Sequence, residues 1–128
     1  MKIVSLFLDD ERYPPTDGRN WVIVRSVPEA IDWVLDNGIP PYISFDNDLG
    51  QNLEGRHFAV WLTDRDLDTG EMPDDFQFFV HSQNPIAAQA IRETLASYLA
   101  YRTRHKTEGS VWPPSRDDIS DPFQPDTP

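Results

Sequence analysis

The sequence predicts a single α/β domain in which a mainly parallel four-stranded sheet is flanked by helices. Its 128 residues fit one domain, and the 38% that are hydrophobic are gathered in short runs. These runs have the length of strands and alternate along the chain with segments of helical periodicity. Right-handed crossovers between such strands build a parallel sheet covered by helices.

Four apolar runs predict the strands, and turn residues bound each of them. Their nearly continuous apolar character is typical of buried parallel strands. The connection between the first two runs is too short for an ordinary crossover helix, so the pairing of these two strands stays open. The runs cover residues 2–8, 21–25, 42–45 and 76–80.

Three segments carry helix signals. The first begins at a Ser-Val-Pro-Glu capping box over residues 26–29 and ends at the Asn-Gly pair of residues 37–38. The second follows a loop over residues 46–54, and the third begins at Asn84 with Pro85 as its first helical residue. Helical spacing predicts one face for each helix, namely Ile31, Val34 and Leu35; Phe58, Trp61, Leu62 and Arg65; and Ala88, Ile91, Leu95 and Leu99.

The folded domain is predicted to span residues 1–106, with residues 107–128 as a flexible, acidic and proline-rich tail. A basic segment over residues 102–106 suits the end of the third helix, where the helix dipole favours positive charge. The four tryptophans are scattered and lack basic neighbours, so we interpret them as core residues rather than as a base-stacking platform.

Composition argues against several classes of function. The net charge of -11 argues against a long nucleic-acid duplex as partner, because binding one requires a basic stripe. No run of about 18 apolar residues is present, so we expect no membrane span, and the first residues show no signal-peptide pattern. The absence of cysteine excludes disulfides and thiolate metal sites and suits a cytoplasmic location.

Acidic residues follow two of the predicted strands at the point where each strand ends. Asp9 and Asp10 follow the first strand, and Asp46 and Asp48 follow the third. The carboxyl ends of parallel strands meet at one edge of a sheet, where α/β proteins bind their ligands. Crowded carboxylates are ligands that Mg²⁺ and Mn²⁺ prefer, so all four residues are candidate metal ligands. Either pair alone is equally compatible with a solvated turn.

A second group of residues is suited to phosphate. His81 follows the fourth strand and can transfer a proton near neutral pH, although a histidine in this position is more often structural. Ser82 and Asn84 lie at the start of the third helix, where free backbone N–H groups bind anions. Arg12 matches a phosphate bidentately or, alternatively, pairs with a neighbouring carboxylate. Ser44 can face either side of the sheet.

Three motifs occur in order along the chain, namely Leu8-Asp9-Asp10-Glu11-Arg12, Ile43-Ser44-Phe45-Asp46-Asn47-Asp48-Leu49-Gly50 and His81-Ser82-Gln83-Asn84-Pro85. Together they resemble the cyclic-phosphate processing receiver domain, a family similar to a derived response-regulator receiver. The resemblance covers roughly residues 3 to 100 and implies a receiver- or flavodoxin-like fold, with Asp46 at the phospho-acceptor position. The chain departs from the family pattern at Asn47, where histidine is usual, and at Ala87, where glycine is usual. The lysine of ordinary receivers has no clear equivalent.

Together the residues and the resemblance predict a metal-dependent, phosphodiesterase-like enzyme. It would act on cyclic phosphate bonds of nucleotides or RNA ends, with Mg²⁺ or Mn²⁺ as cofactor. The candidate catalytic residues are Asp46, His81 and Arg12, and the candidate phosphate-binding residues are Arg12, Ser82 and Asn84. The expected partner is a small phosphate-containing ligand, either a cyclic nucleotide or a cyclic-phosphate RNA end. The alternative is a non-enzymatic module that signals as receivers do or binds a cyclic nucleotide without cleaving it.

Overall fold

The computed structural model describes residues 3–50, 52–109 and 111–114. Each predicted strand and helix is present, and the strand ends lie within two residues of their predicted positions. In chain order the elements are β1 (Val4–Leu8), β2 (Asn20–Val24), α1 (Val27–Asn37), β3 (Tyr42–Phe45), α2 (Gly55–Thr69), β4 (Gln77–Val80) and α3 (Pro85–Thr107).

All neighbouring strands run parallel, in the order β2-β1-β3-β4, so the predicted four-stranded parallel sheet is confirmed. The open pairing is resolved as well, because β2 lies directly beside β1. Residues 9–19 connect these two strands, are all described, and contain no helix. From β2 the chain crosses β1 through α1 to reach β3, and α2 then leads to β4.

The helices cover one face of the sheet. Both crossovers run in the same direction along the sheet, and right-handed crossovers in one direction place their helices on one side. α3 joins the same core and packs closely on α2. Among the described residues, no helix contributes to the opposite face. The core combines Leu6, Leu8, Val24, Ile43, Phe45 and Val80 of the strands with Val27, Ala30, Val34, Phe58, Leu62, Ala88, Ile91, Leu95 and Tyr98 of the helices.

The opposite face carries the alternate strand residues, because successive side chains of a strand point to opposite sides. Phe7, Ser44 and Phe79 are register partners on β1, β3 and β4 and form a row across this face. Phe7 and Ser44 are buried, whereas Phe79 is 54% exposed. The connection between β1 and β2 borders the same face and leaves a pocket on it.

The predicted helix caps are confirmed for α1 and α3. The Ser26 hydroxyl accepts the Glu29 backbone N–H at 3.2 Å. The Asn84 side chain accepts the Ala87 backbone N–H at 3.1 Å. Each bond satisfies a donor that the first turn of a helix leaves without an intrahelical partner.

The buried face of α1 differs from the prediction in one residue. Leu35 was expected on it but is 51% exposed. The side of the helix that faces the sheet is centred on Val27, Ala30 and Val34, and Leu35 lies beyond the edge of that side. The buried residues of α1 are Val27, Ala30 and Val34.

A buried charge network joins α2 to α3. The fully buried Asp66 carboxylate accepts hydrogen bonds from the Tyr98 hydroxyl at 2.5 Å and from Arg102 Nε at 2.9 Å. The Met72 backbone N–H donates to the same carboxylate at 2.9 Å. Burial and the neighbouring Asp66 raise the pKa of Tyr98. The network explains why the predicted basic helix end includes an arginine that is only 5% exposed.

The helix α3 ends at Thr107, and residues 111–114 pack back onto it. The Trp112 ring lies 6.3 Å from that of Tyr98 and 6.0 Å from that of Tyr101, measured between centroids. Residues 115–128, which make up most of the predicted flexible tail, lie outside the described residues. In the part of the chain that the structure describes, no helix combines the length and the apolar character that a membrane span requires.

Candidate functional site

The strand register brings three predicted site residues into one row. The ladder continues one residue beyond the strands, because Asp46 N–H donates to Leu8 O and His81 N–H donates to Phe45 O, both at 2.9 Å. Asp9 N–H likewise donates to Val24 O at 3.1 Å. The alternation of the strands turns these three side chains toward the face of the sheet that bears Phe7 and Ser44.

Within this row the three functional groups approach one another closely. One carboxylate oxygen each from Asp9 and Asp46 and one ring nitrogen of His81 lie within 4.8 Å of one another. We call these three residues the edge cluster. Two carboxylates and an imidazole at this spacing form a donor set that can hold a divalent cation.

Asp9 is the most constrained member of the edge cluster and is fully buried. Its Oδ1 accepts the backbone N–H groups of Glu11 at 2.9 Å and Arg12 at 2.8 Å. Its Oδ2 lies 2.9 Å from Nε2 of His81. Burial by itself raises the pKa of the Asp9 carboxyl, but these hydrogen bonds outweigh it and hold the pKa below its usual value. Asp9 is therefore an anion over the whole physiological pH range.

Both ring nitrogens of His81 are hydrogen-bonded. Nδ1 lies 2.7 Å from the Ser44 hydroxyl, and the ring stacks on Phe7 with centroids 4.6 Å apart and an interplanar angle of 3°. Because ionised Asp9 can only accept, Nε2 must carry the proton that joins them. In the neutral ring, Nδ1 then accepts the Ser44 hydroxyl hydrogen, an assignment made from the hydrogen-bond network.

Asp46 has the opposite electrostatic environment. It is 9% exposed, and its Oδ1 accepts the Asn47 backbone N–H at 2.8 Å. Burial and the negative charge of Asp9 raise the pKa of the Asp46 carboxyl. Arg12 and His81 act against this increase. A cation bound between Asp9 and Asp46 would relieve the repulsion.

The two other predicted metal ligands lie outside the edge cluster. Asp10 and Asp48 are exposed. The Asp48 carboxylate accepts the side-chain amide of Asn47 at 3.1 Å. Asp10 Oδ2 is near the loop after β3, at 3.4 Å from the position that a Cβ on Gly50 would occupy. Their parts in metal binding stay predictions.

Asn47 is directed toward the start of α2. It is 1% exposed, and its Oδ1 accepts the Arg56 backbone N–H at 3.2 Å. Its backbone oxygen accepts the Gly55 N–H at 3.0 Å. These bonds attach the loop that carries Asp46 to α2, so Asn47 supports the position of that carboxylate.

Arg12 is held by its backbone and has an exposed side chain. Its carbonyl oxygen accepts a hydrogen bond from the Arg25 guanidinium, which also donates to the Asp9 carbonyl at 3.1 Å. The Arg12 side chain lines the pocket on the helix-free face together with His81. The sequence reasoning did not single out Arg25 as functional. Its position one residue beyond β2, in register with Asp9, is the signal that could have identified it.

Ser82 and Asn84 lie at the start of α3, as predicted, and organise that helix start. The Ser82 hydroxyl oxygen accepts the Asn84 backbone N–H at 3.1 Å. The Asn84 side-chain oxygen accepts a backbone N–H in the first turn. These oxygens are engaged in capping, so a phosphate here would be bound by N–H and O–H donors. The phosphate-binding roles of both residues stay predictions.

Comparison with known proteins identifies the family. A model of the cyclic-phosphate processing receiver domain matches residues 4–97, and this chain belongs to that family. The match includes Asp9, Asp46 and His81. No curated protein matches the sequence.

Three solved structures that resemble this one share little sequence with it. The first is a fusion protein that contains residues 181–211 of the trimeric coiled coil of yeast Spc42. It has a TM-score of 0.52 and 18% identity, over 88% of this chain and 86% of that chain. NtrX from Brucella abortus has a TM-score of 0.43 and 14% identity, over 84% of this chain and 30% of that chain. The adenylate cyclase from Rhodopirellula baltica has a TM-score of 0.41 and 13% identity, over 87% and 100%. At 18% identity, the similarity to the first of these structures extends to the fold alone.

Proposed function

We propose that this chain hydrolyses a cyclic phosphodiester of a nucleotide or an RNA end at the edge cluster, with the help of a divalent cation. The observation that carries this proposal is the meeting of Asp9, Asp46 and His81 within 4.8 Å at the carboxyl end of the sheet. A family match over residues 4–97 connects the chain to cyclic-phosphate processing.

The donor set suits Mg²⁺ or Mn²⁺. Asp9 and Asp46 supply two buried carboxylates. Burial and the negative charge of Asp9 raise the pKa of Asp46, and a cation would remove the repulsion between the two carboxylates. We assign the cation to these two residues, with Asp10 and Asp48 as further ligands at the exposed rim. When bound, the cation would lower the pKa of water and neutralise charge on the phosphate. His81 is left out of the assignment because Nε2 is already bonded to Asp9.

The protein side chains would manage the protons and the phosphate charge. Hydrolysis forms a P–O bond to the water oxygen and breaks the P–O bond to the ring oxygen, which leaves as a hydroxyl. The water loses a proton, for which Asp46 is the acceptor in this proposal. The leaving oxygen gains a proton from Nδ1 of His81 in its doubly protonated form, while Nε2–H stays bonded to Asp9 and keeps the ring oriented. Arg12 binds the phosphate oxygens, with the donors at Ser82 and Asn84 as a second contact.

The hydrogen bonds of His81 favour one second candidate. Because Nδ1 is bonded to Ser44 and Nε2 to Asp9, proton donation requires the substrate to displace one of these partners. A chain that keeps both bonds would bind the cyclic phosphate without cleaving it. Turnover distinguishes this binding module from the enzyme.

The proposed function is tested by incubating the protein with a substrate panel and separating the products by liquid chromatography. The panel contains 2′,3′- and 3′,5′-cyclic nucleotides and RNA with a 2′,3′-cyclic phosphate end, each with Mg²⁺, with Mn²⁺ or with EDTA. We expect cation-dependent opening of at least one cyclic phosphate. His81→Ala should lower turnover by roughly 10²–10⁴-fold with little change in affinity.

Asp36→Asn is the matched control for substitutions of the edge-cluster carboxylates, because Asp36 is an exposed carboxylate on α1. Asp9→Asn and Asp46→Asn should abolish turnover, whereas Asp36→Asn should leave it unchanged. Tight binding of a cyclic nucleotide without cleavage under any cation would replace the enzyme with the binding module. If neither binding nor cleavage occurs, both candidates fail.

A further inference from the structure

A pocket of about 460 Å³ lies on the helix-free face of the sheet, next to the edge cluster. Its walls include five aromatic side chains, and we call it the aromatic pocket. Arg12 and His81 line the same pocket. The volume falls within the range of small-molecule sites. The five aromatic residues are Phe7, Tyr13, Trp21, Tyr42 and Phe79.

A continuous row of rings leads from the edge cluster into this pocket. His81 stacks on Phe7, and Phe7 meets Trp21 edge-on with centroids 5.6 Å apart. Trp21 in turn lies 5.7 Å from Tyr42. The ring row therefore begins at a group assigned to phosphate chemistry and ends on a surface of aromatic rings.

Two of these aromatic residues are more exposed than a purely structural role requires. Phe79 is 54% exposed and Tyr13 is 78% exposed. Phe79 lies on β4 directly beside Ser44, so it flanks the hydroxyl that contacts His81. Exposed aromatic rings beside a polar, charged site are typical of ligand recognition.

The chemistry at the two ends of the pocket indicates what would fill it. Arg12 and His81 at one end suit a phosphate, and the aromatic rings suit a flat apolar group attached to it. A nucleobase has this character, because every base has a π-face on which an aromatic side chain can stack. The sequence analysis interpreted Trp21 as a core residue, whereas the fold places it in the pocket that Arg12 lines.

We infer that the aromatic pocket binds the nucleobase of a nucleotide whose phosphate lies at Arg12 and the edge cluster. The inference rests on the proposed function for the position of the phosphate. It adds a site for the base, so that the aromatic rings as well as the phosphate contacts select a nucleotide over a cyclic phosphate of a small alcohol. Recognition by stacking predicts tolerance for different bases.

The test measures binding of three probes by calorimetry, namely a 2′,3′-cyclic nucleotide, the matching nucleoside without phosphate, and inorganic phosphate. Phe79→Ala should weaken the cyclic nucleotide and the nucleoside by roughly 5- to 100-fold, as expected for loss of one stacking ring. Binding of inorganic phosphate should be unchanged. In an NMR titration, the nucleoside alone should shift the indole N–H signal of Trp21.

Two controls separate stacking from general effects. Ile86→Ala removes an apolar side chain that is 85% exposed and lies outside the pocket, and it should change no affinity. Phe79→Leu keeps apolar volume without a π-face, so it should not restore full affinity. Full rescue by leucine, or wild-type affinity in Phe79→Ala, would overturn the inference. The inference would also be overturned if the wild type bound neither the cyclic nucleotide nor the nucleoside at millimolar concentration.

The design keeps this inference distinct from the proposed function. If nucleoside binding depends on Phe79 but no cyclic phosphate is cleaved, the aromatic pocket stands and the enzyme fails. If glycerol 1,2-cyclic phosphate is cleaved as fast as the nucleotide, with no effect of Phe79→Ala, the enzyme stands and the pocket fails. A Trp21 signal that moves only with protein concentration would instead assign this face to contact between copies, which also contradicts the inference.

Discussion

Gly55 is the position at which one added methyl group should disturb the site most. A Cβ at this first residue of α2 would lie 1.9 Å from the Asp46 carbonyl oxygen and 3.0 Å from the Asn47 Cα. The Gly55 N–H donates to the Asn47 carbonyl at 3.0 Å, so the close approach is held by a hydrogen bond. Gly55→Ala must therefore push the loop that carries Asp46 away from α2.

The size of the effect follows from this contact. The separation must grow from 1.9 Å to at least 3.0 Å, so the Asp46 backbone moves by 1.1 Å or the helix start shifts by a similar amount. Overpacking of this kind costs about 1–3 kcal/mol of folding free energy. Helix propensity favours alanine over glycine by at most about 1 kcal/mol, so the steric effect should win. A catalytic group displaced by about 1 Å lowers the rate by roughly 100-fold.

Urea denaturation measures the stability of Gly55→Ala, and the cyclic-phosphate assay measures its turnover. Gly109→Ala is the control, because Gly109 has a φ of 78° and no atom within 4 Å of an added Cβ. It reports the cost of a strained backbone alone and should leave turnover unchanged. A Gly55→Ala protein as stable and as active as the wild type would refute the steric reasoning.

Four further predictions concern the charged and hydrogen-bonded groups. Asp66→Ala should destabilise the fold by about 3–5 kcal/mol in urea denaturation, because it removes the buried carboxylate that accepts hydrogen bonds from Tyr98, Arg102 and the Met72 N–H; a loss under 1 kcal/mol would contradict this. Folding raises the pKa of the Asp46 carboxyl. The contribution of Asp46 to the free energy of unfolding is therefore fully present below the unfolded pKa near 4, and it is lost as the pH rises through the folded pKa. In EDTA, Asp46→Asn should therefore be more stable than the wild type at pH 7, with no difference at pH 3, and an unchanged pH profile would show that Asp46 is not desolvated. Ser44→Ala should lower kcat without changing KM and should alter the ¹⁵N shifts that report the His81 tautomer; unaltered shifts would mean that the Ser44 hydroxyl does not fix the ring. A cation at a hundred times its Kd should stabilise the wild type by about 2.7 kcal/mol, or roughly 10 °C in Tm, and this gain should vanish in the Asp9→Asn, Asp46→Asn double variant. A gain that persists would place the cation elsewhere.

Local sequence signals were sufficient for most of the fold. Helix caps such as Ser26 and Asn84 indicate where a helix begins, and the side chain of each accepts a backbone N–H of the first helical turn, as predicted. The pairing of β1 with β2 could not be derived, because it depends on a connection without a helix. The exposure of Leu35 was missed because helical spacing does not show how wide a face the sheet covers.

The edge cluster was partly predictable for the same local reason. Asp9, Asp46 and His81 directly follow strands, and parallel strands bring their carboxyl ends together. Strand alternation could also have separated Asp9 from Asp10, since neighbouring residues face opposite sides.

Contacts between distant segments could not be read from the sequence. Ser44 to His81 and Asp66 to Arg102 each join residues more than 30 positions apart. The Arg25 guanidinium reaches the Asp9 and Arg12 carbonyls only because β2 lies beside β1. Such pairs depend on the completed sheet and on helix packing, for which no local pattern provides a signal.

The most direct test of the central claim is hydrolysis of a 2′,3′-cyclic nucleotide in H₂¹⁸O, followed by ³¹P NMR. Water attack at phosphorus at the edge cluster predicts a phosphate monoester that carries one ¹⁸O. The product should form with Mg²⁺ or Mn²⁺, and not with EDTA or in Asp46→Asn. A rate equal to that of the buffer alone with either cation, or a labelled product that forms equally well in Asp46→Asn, would contradict the account.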